Sequence, residues 1–126
     1  MNSLLITSGF IQITVAVLLG WVIAAFRLGA VRVGPLRNAK RVLQCHIDDI
    51  MMALLQFAVA VVHPAIPPVA GWLLLIGSWT NAQLFLVHAV SENGYVKSRA
   101  LSVATFASFT TLTIAYPWLL WAWLQG

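Results

Sequence analysis

The stretch LLITSGFIQITVAVLLGWVIAAF, residues 4–26, contains no charged side chain and ends just before Arg27. A helix needs roughly 20 apolar residues to cross the hydrocarbon core of a bilayer, so this stretch is long enough for one crossing. It begins without a basic segment, and it is longer than the apolar core of about 7 to 15 residues that is usual in a signal peptide. We therefore interpret it as a retained transmembrane helix.

Three further apolar stretches follow, at residues 42–62, 70–90 and 100–124. Of the 126 residues, 61% are hydrophobic and 8% are charged, whereas soluble domains are about 25% charged. Four crossings leave only short connections and no room for a soluble domain. The sequence therefore predicts an all-α polytopic membrane protein, a single four-helix transmembrane domain over residues 1–126.

Positive charge is concentrated in two connections. The first and third connections hold all seven basic residues: Arg27, Arg32, Arg37, Lys40, Arg41, Lys97 and Arg99. Because Lys and Arg favour the cytoplasmic side, we expect these connections in the cytoplasm and both termini outside it, in a bacterial inner membrane. The net charge of +4 is then a topology signal, and we expect no nucleic-acid partner. Four tryptophans are predicted to lie at the outer interface: Trp72, Trp118, Trp121 and Trp123.

Polar groups at membrane depth are candidate site residues, since a central charge costs about 2.5 to 3.5 kcal/mol on insertion scales. The second stretch opens with Cys45-His46-Ile47-Asp48-Asp49. His46, Asp49 and Ala53 share one helical stripe, on which an imidazole could bind a flat cofactor, with Asp49 as a partner for its second ring nitrogen. The alternative is that these polar residues only occupy a helix start, where acids favour the positive end of the helix dipole.

The other polar residues leave two interpretations open in the same way. Asn81 must find a partner at mid-membrane, either in another helix or in a pocket. His88 fits an interfacial position better than a ligand position, and we expect His63, next to Pro64, to be solvated. Cys45 is either a thiolate ligand or, as is commoner, a buried structural cysteine.

The order of these motifs resembles one known family. The residues that carry the resemblance are His46-Ile47-Asp48, Met51-Met52, Gly71-Trp72 and Trp79-Thr80-Asn81. Over nearly the whole chain the sequence is similar to the styrene oxide isomerase and hydroxylaminobenzene mutase family, with helix 4 the least similar part.

The resemblance implies a four-helix subunit, usually in a homotrimer, with haem b held by a histidine at the start of the second helix. His46 occupies that position. The iron would act as a Lewis acid on a small hydrophobic aromatic substrate, converting an epoxide to an aldehyde or an aryl hydroxylamine to an aminophenol without a cosubstrate. The expected cofactor contacts are His46, Asp49, Ala53 and Trp79, with His46 as the metal ligand. The expected catalytic contacts are Met52, Asn81 and Phe85.

This sequence also departs from the family pattern. Met52 stands where the family has an asparagine, Phe85 where the epoxide isomerases have a tyrosine, and Ser8 where a histidine is common. Asn81 is retained, and Asp48 matches an acidic residue of the mutase-like members. Two substrate-orienting groups are therefore missing, and the resemblance supports haem binding more strongly than styrene oxide turnover.

Two other functions remain as alternatives. A non-catalytic haem-binding or haem-sensing membrane protein would use His46 and His88 as paired ligands. A small multidrug-type transporter has the right size but would carry a glutamate in its first helix, and none is present in residues 4–26.

Because a four-helix subunit of this length is small for enclosing a flat cofactor, we expect a homo-oligomer. The small residues expected at the subunit contact are Ala53, Ala60, Ala104 and Ala107.

Overall fold

The computed structural model describes all residues, 1–126, and contains four long α-helices. Each helix is long and apolar enough to cross a membrane. The predicted all-α four-helix transmembrane fold is confirmed, with boundaries within three residues of the predicted ones. The helices are α1 (Asn2–Arg27), α2 (Ala39–Val62), α3 (Pro68–His88) and α4 (Arg99–Gln125).

Two helices begin at polar capping residues and one at a proline, each ahead of its predicted apolar stretch. The Asn38 side chain accepts a hydrogen bond from the backbone N–H of Arg41 at 3.0 Å, which satisfies a free donor at the start of α2. Ser98 caps α4 in the same way through the N–H of Leu101. Pro68 is the first residue of α3, where its missing N–H costs nothing. These caps lie in polar connections, outside the apolar runs.

The helices pack in chain order. α1 packs on α2, α2 on α3 and α3 on α4, while α1 approaches α3 over a shorter stretch and its backbone does not come close to α4. Large apolar side chains consequently stay exposed on both end helices, including Phe10 and Trp21 on α1 and Phe106 on α4. These faces are suited to lipid or to a neighbouring subunit.

The first and third connections lie together at one end of the bundle, which we call the basic end. The backbone N–H groups of Arg37 and Asn38 both donate to the Ala89 carbonyl, at 2.8 and 3.0 Å. The Arg41 guanidinium donates to the Gly94 carbonyl at 2.7 Å. Gly94 has φ +77°, and a Cβ there would lie 2.9 Å from the Asn38 amide nitrogen, so glycine is required. The predicted pairing of these connections on one side is confirmed.

The small residues do not all lie where the sequence predicted. Ala53 and Ala60 are 0% and 5% exposed inside the chain, so the prediction that they lie at a subunit contact is wrong. They instead permit close approach between helices of one chain. Ala104 and Ala107 are exposed on α4 and remain available to another copy.

A buried carboxylate joins the first three helices. Asp49 of α2 is fully buried, and its Oδ1 accepts hydrogen bonds from Gln12 of α1 and Gln83 of α3, each at 2.9 Å. The thiol of Cys45 donates to Oδ2 at 3.5 Å. All three donors are neutral, and no cation pairs with this carboxylate.

Gln12 extends this network along the bundle. Its amide N–H₂ also donates to the Ser78 carbonyl at 3.1 Å, and its oxygen accepts from Gln56 at 2.6 Å. Because an unpaired polar group is costly away from water, these bonds couple the rotation of each helix to that of its neighbours. We call the set Cys45, Asp49, Gln12, Gln56, Ser78 and Gln83 the Asp49 network.

Removing the carboxylate should destabilise the fold. Asp49→Ala leaves the Gln83 amide without an acceptor and removes one acceptor each from Gln12 and Cys45, so we expect a loss of about 2 kcal/mol in the free energy of unfolding, measured by steric trapping in bicelles. Asp49→Asn keeps one acceptor oxygen and should lose less. The matched control is Asp48→Ala, because Asp48 is partly exposed and pairs only with Asn81. Equal losses at positions 48 and 49 would contradict the central role of Asp49.

Candidate functional site

His46 lies near the start of α2 and faces α1. Its Nδ1 is 2.6 Å from the carbonyl oxygen of Ala16. A carbonyl oxygen only accepts hydrogen bonds, so Nδ1 carries the proton and donates it. Gly20, one turn further along α1, lies beside the ring, and a Cβ there would be in ordinary van der Waals contact with His46 Cε1, at 3.5 Å.

This hydrogen bond leaves the other ring nitrogen free. In the neutral tautomer with the proton on Nδ1, Nε2 carries the lone pair, and no side chain or backbone group is bonded to it. Metal-binding histidines in proteins usually donate their second ring N–H to a carbonyl or carboxylate in this manner. His46 is therefore oriented and protonated as a metal ligand would be.

The surroundings of His46 fit a group bound at the surface of this chain. His46 is partly exposed, and it lines none of the five main cavities. No group of three or more His, Cys, Asp or Glu side chains is placed to hold a bare metal ion. His46 therefore offers a single ring nitrogen to a ligand.

The other expected cofactor contacts are engaged elsewhere. The partners of the Asp49 carboxylate are Gln12, Gln83 and Cys45, and the predicted pairing of Asp49 with the imidazole is replaced by the Ala16 carbonyl. Ala53 is fully buried and offers no surface to a ligand. Trp79 donates its indole N–H to the Ser8 hydroxyl at 2.8 Å, which ties α3 to α1.

Asn81 and Phe85 do come together. They line a cavity of ≈240 Å³ between the start of α2, α3 and α4, and Met52 is not among its lining residues. The Arg41 guanidinium lies 5.9 Å from the centre of the Phe85 ring. The other lining residues are Arg41, Leu84, His88, Tyr95, Thr105 and Phe109.

This cavity lies across α2 from His46. Asn81 donates its amide N–H to the Asp48 carboxylate at 3.0 Å. His46 and Asp48 are two positions apart, which places them about 200° apart around a helix of about 3.6 residues per turn. Within one chain, the imidazole and the Asn81–Phe85 cavity therefore occupy opposite faces of α2.

The remaining histidines differ from His46. The Nδ1 of His88 accepts a hydrogen bond from the Val96 N–H at 3.0 Å, and its ring stacks on Tyr95 with centroids 5.3 Å apart. Its neutral form thus carries the proton on Nε2, which makes that nitrogen a donor. His63 was expected in solvent, and this prediction is wrong. The side chain is 7% exposed and donates from Nε2 to the Leu119 carbonyl at 3.2 Å, because the end of α4 covers it.

Sequence reasoning missed Gln12, which links the network to α1. A signal was present, because Gln12 is the only amide side chain in residues 4–26. The sequence does not indicate that Gln12 pairs with side chains on α2 and with a backbone carbonyl on α3.

Comparison of the chain with family models, with curated proteins and with solved structures gave no match. The functional proposal below therefore depends on the fold and on the geometry around His46.

The hydrogen bonds of the three histidines predict their tautomers. With the rings neutral, His46 should carry its proton on Nδ1, and His63 and His88 should carry theirs on Nε2. Nitrogen-15 NMR of histidine-labelled protein in detergent measures this directly, with His46→Gln identifying the His46 signals. A proton on Nε2 of His46 would contradict the ligand geometry.

Proposed function

We propose that this chain is the subunit of a haem b-dependent integral membrane isomerase, which rearranges a small aromatic epoxide or aryl hydroxylamine without a cosubstrate. The observation that carries the proposal is the His46 ring, held by the Ala16 carbonyl with Nε2 unpaired. The motif resemblance around His46 and Asn81 supports the same function.

His46 is the residue that would hold the haem. Its bond to Ala16 fixes the ring plane and increases the basicity of Nε2, as outer hydrogen bonds do for metal-binding imidazoles. When bound, the haem iron supplies a Lewis acid for the substrate oxygen. His88 does not compete for this role, because its neutral ring offers an N–H at Nε2.

Asn81 is the residue that would orient the substrate. One amide N–H is held by Asp48, which leaves the second N–H and the carbonyl oxygen of the amide for a ligand. The Phe85 ring provides an aromatic surface beside it. A cavity of ≈240 Å³ suits a single-ring molecule, since benzene binds in an engineered cavity of about 150 Å³.

The chemistry needs few side chains. An intramolecular rearrangement requires no external reductant or oxidant, and the protein supplies orientation and an apolar enclosure. With Met52 and Phe85 in place of hydrogen-bonding residues, the orientation of the substrate depends on Asn81. Asp48 is a positioning residue, because it acts through the Asn81 amide.

The opposite placement of His46 and the Asn81–Phe85 cavity favours a site shared between subunits. His46 of one subunit would face the cavity of a neighbouring copy, in a homotrimer of the bacterial inner membrane with the basic end cytoplasmic. The unpaired faces of α1 and α4 support such contacts, and Ala104 and Ala107 lie exposed on α4. Residues on these faces would then be buried only in the assembly.

One observation favours a second candidate, a haem-binding membrane protein without catalysis. Within a single chain, His46 does not adjoin the Asn81–Phe85 cavity, so haem could bind without any substrate site. Only the isomerase would turn over a substrate, and only in the isomerase would replacing Asn81 lower an activity.

Replacing His46 tests the ligand assignment. His46→Ala removes the one protein nitrogen proposed to bind iron, so the purified protein should lose its Soret band while still inserting in the membrane. The matched control is His88→Ala, which should leave the absorption spectrum nearly unchanged. Haem lost from the His88 variant and kept in the His46 variant would refute the assignment.

Replacing Asn81 separates the catalyst from the binder. Asn81→Ala should keep the Soret band and lower kcat/KM for phenylhydroxylamine or styrene oxide at least tenfold, roughly the value of one well-placed hydrogen bond in a dry site. A haem-loaded wild-type protein that turns over neither substrate class would favour the non-catalytic candidate.

A further inference from the structure

A second cavity, of ≈400 Å³, lies between the last turns of α2 and α4, at the end opposite the basic end. Seven of its eight lining residues are hydrophobic, and the eighth is His63. The lining residues are Ala58, Val59, Val62, His63, Tyr116, Leu119, Leu120 and Trp123. None of them belongs to the Asn81–Phe85 cavity.

The backbones of α2 and α4 do not approach each other closely, and His63 at the end of α2 bridges to α4 at Leu119, which leaves a cavity between the two helices. Buried Leu119 and His63 form its inner wall. Val62, Leu120 and Trp123 are well exposed on the outer surface of the helices. The opening is therefore lateral, toward the region that lipid chains occupy.

Two polar atoms beside this apolar space have no hydrogen-bond partner, the Nδ1 of His63 and the hydroxyl of Tyr116. His63 Nε2 donates to the Leu119 carbonyl, so Nδ1 carries the lone pair and is an acceptor. The edge of the ring packs on Trp123, with centroids 5.8 Å apart, which opposes rotation of the imidazole toward another partner.

Both unpaired atoms belong to residues that line this cavity. His63 reaches the cavity wall through its bond to the Leu119 carbonyl, and Tyr116 lies one turn before Leu119 on α4. An acceptor and a hydroxyl, which can donate or accept, are thus left without partners on two lining residues.

We propose that this cavity binds a small lipophilic alcohol or phenol taken from the membrane. A ligand hydroxyl group can donate to His63 Nδ1 or pair with the Tyr116 hydroxyl, while the rest of the molecule contacts the six purely apolar residues and the Tyr116 ring. A hydrocarbon would leave both atoms unpaired, and a carboxylate or ammonium would bring an uncompensated charge into an apolar space. The volume falls within the range of about 300 to 1,000 Å³ that small-molecule sites have. This site is independent of the proposed isomerase function.

Photolabelling of the full chain in lipid nanodiscs tests the site. The probe is 4-hexylphenol carrying a diazirine on its alkyl chain, and labelled residues are mapped by mass spectrometry. We expect saturable labelling of the segments 58–63 and 116–123. Unlabelled 4-hexylphenol and 1-octanol should both compete, and hexylbenzene, which lacks the hydroxyl, should compete at least tenfold less well.

Tyr116→Phe removes the hydroxyl and keeps the ring, so the fold should be retained and the half-saturating probe concentration should rise about tenfold. Tyr95→Phe is the matched control, since it removes the only other tyrosine hydroxyl, at the basic end, and should leave the labelling of these segments unchanged. Leu120→Trp, at the exposed opening, should block labelling without touching either polar atom. Equal competition by hexylbenzene, labelling that does not saturate, or sensitivity to Tyr95→Phe in place of Tyr116→Phe would overturn the proposal.

Discussion

The buried carboxylate of Asp49 is the constraint on which the arrangement of α1, α2 and α3 depends. It lies away from water, has no cationic partner, and is satisfied only if Gln12 and Gln83 approach it from two different helices. That requirement fixes the rotation of α1 against α2. Ala16 is one turn beyond Gln12, and His46 is one turn before Asp49, so the pairing that satisfies Asp49 also brings the Ala16 carbonyl to the imidazole. The protonation and orientation of His46 thus follow from the network that holds the helices together.

α4 is attached by different means. Its closest contacts are with α3, where the hydroxyls of Thr80 and Ser108 are 2.8 Å apart and a Cβ at Gly77 would lie 2.6 Å from the Thr111 hydroxyl. Glycine at position 77 therefore permits the two helices to approach closely. The backbone of α4 does not come close to α1 or α2, and His63 alone bonds the end of α2 to α4. The lateral cavity lies beside this bond, while the His46 surface and the Asn81–Phe85 cavity lie on opposite faces of α2. Both proposed sites therefore depend on what surrounds a single chain.

The sequence predicts the number of helices, their approximate ends and the pairing of the basic connections, because these depend on apolar length and on charge. It also selects His46 and Asn81 as candidate site residues, since polar residues in apolar helices are few. It does not predict the partner of His46, because that partner is a backbone carbonyl, which every residue has. The burial of Ala53 and of His63 depends on helix rotation and on where the end of α4 packs, and neither follows from local sequence. The pairing of Asp48 with Asn81 is likewise not predicted, because it is a contact between two helices.

The central claim is the proposal that one imidazole, His46, oriented by the fold, would hold haem b without a second protein ligand. The most direct measurement is the absorption and electron paramagnetic resonance spectrum of the wild-type protein, expressed with a supply of haem and purified in mild detergent. The account predicts a Soret band together with the high-spin ferric signal of iron that has one protein ligand. A colourless protein, or a low-spin signal from two nitrogen ligands, would contradict it.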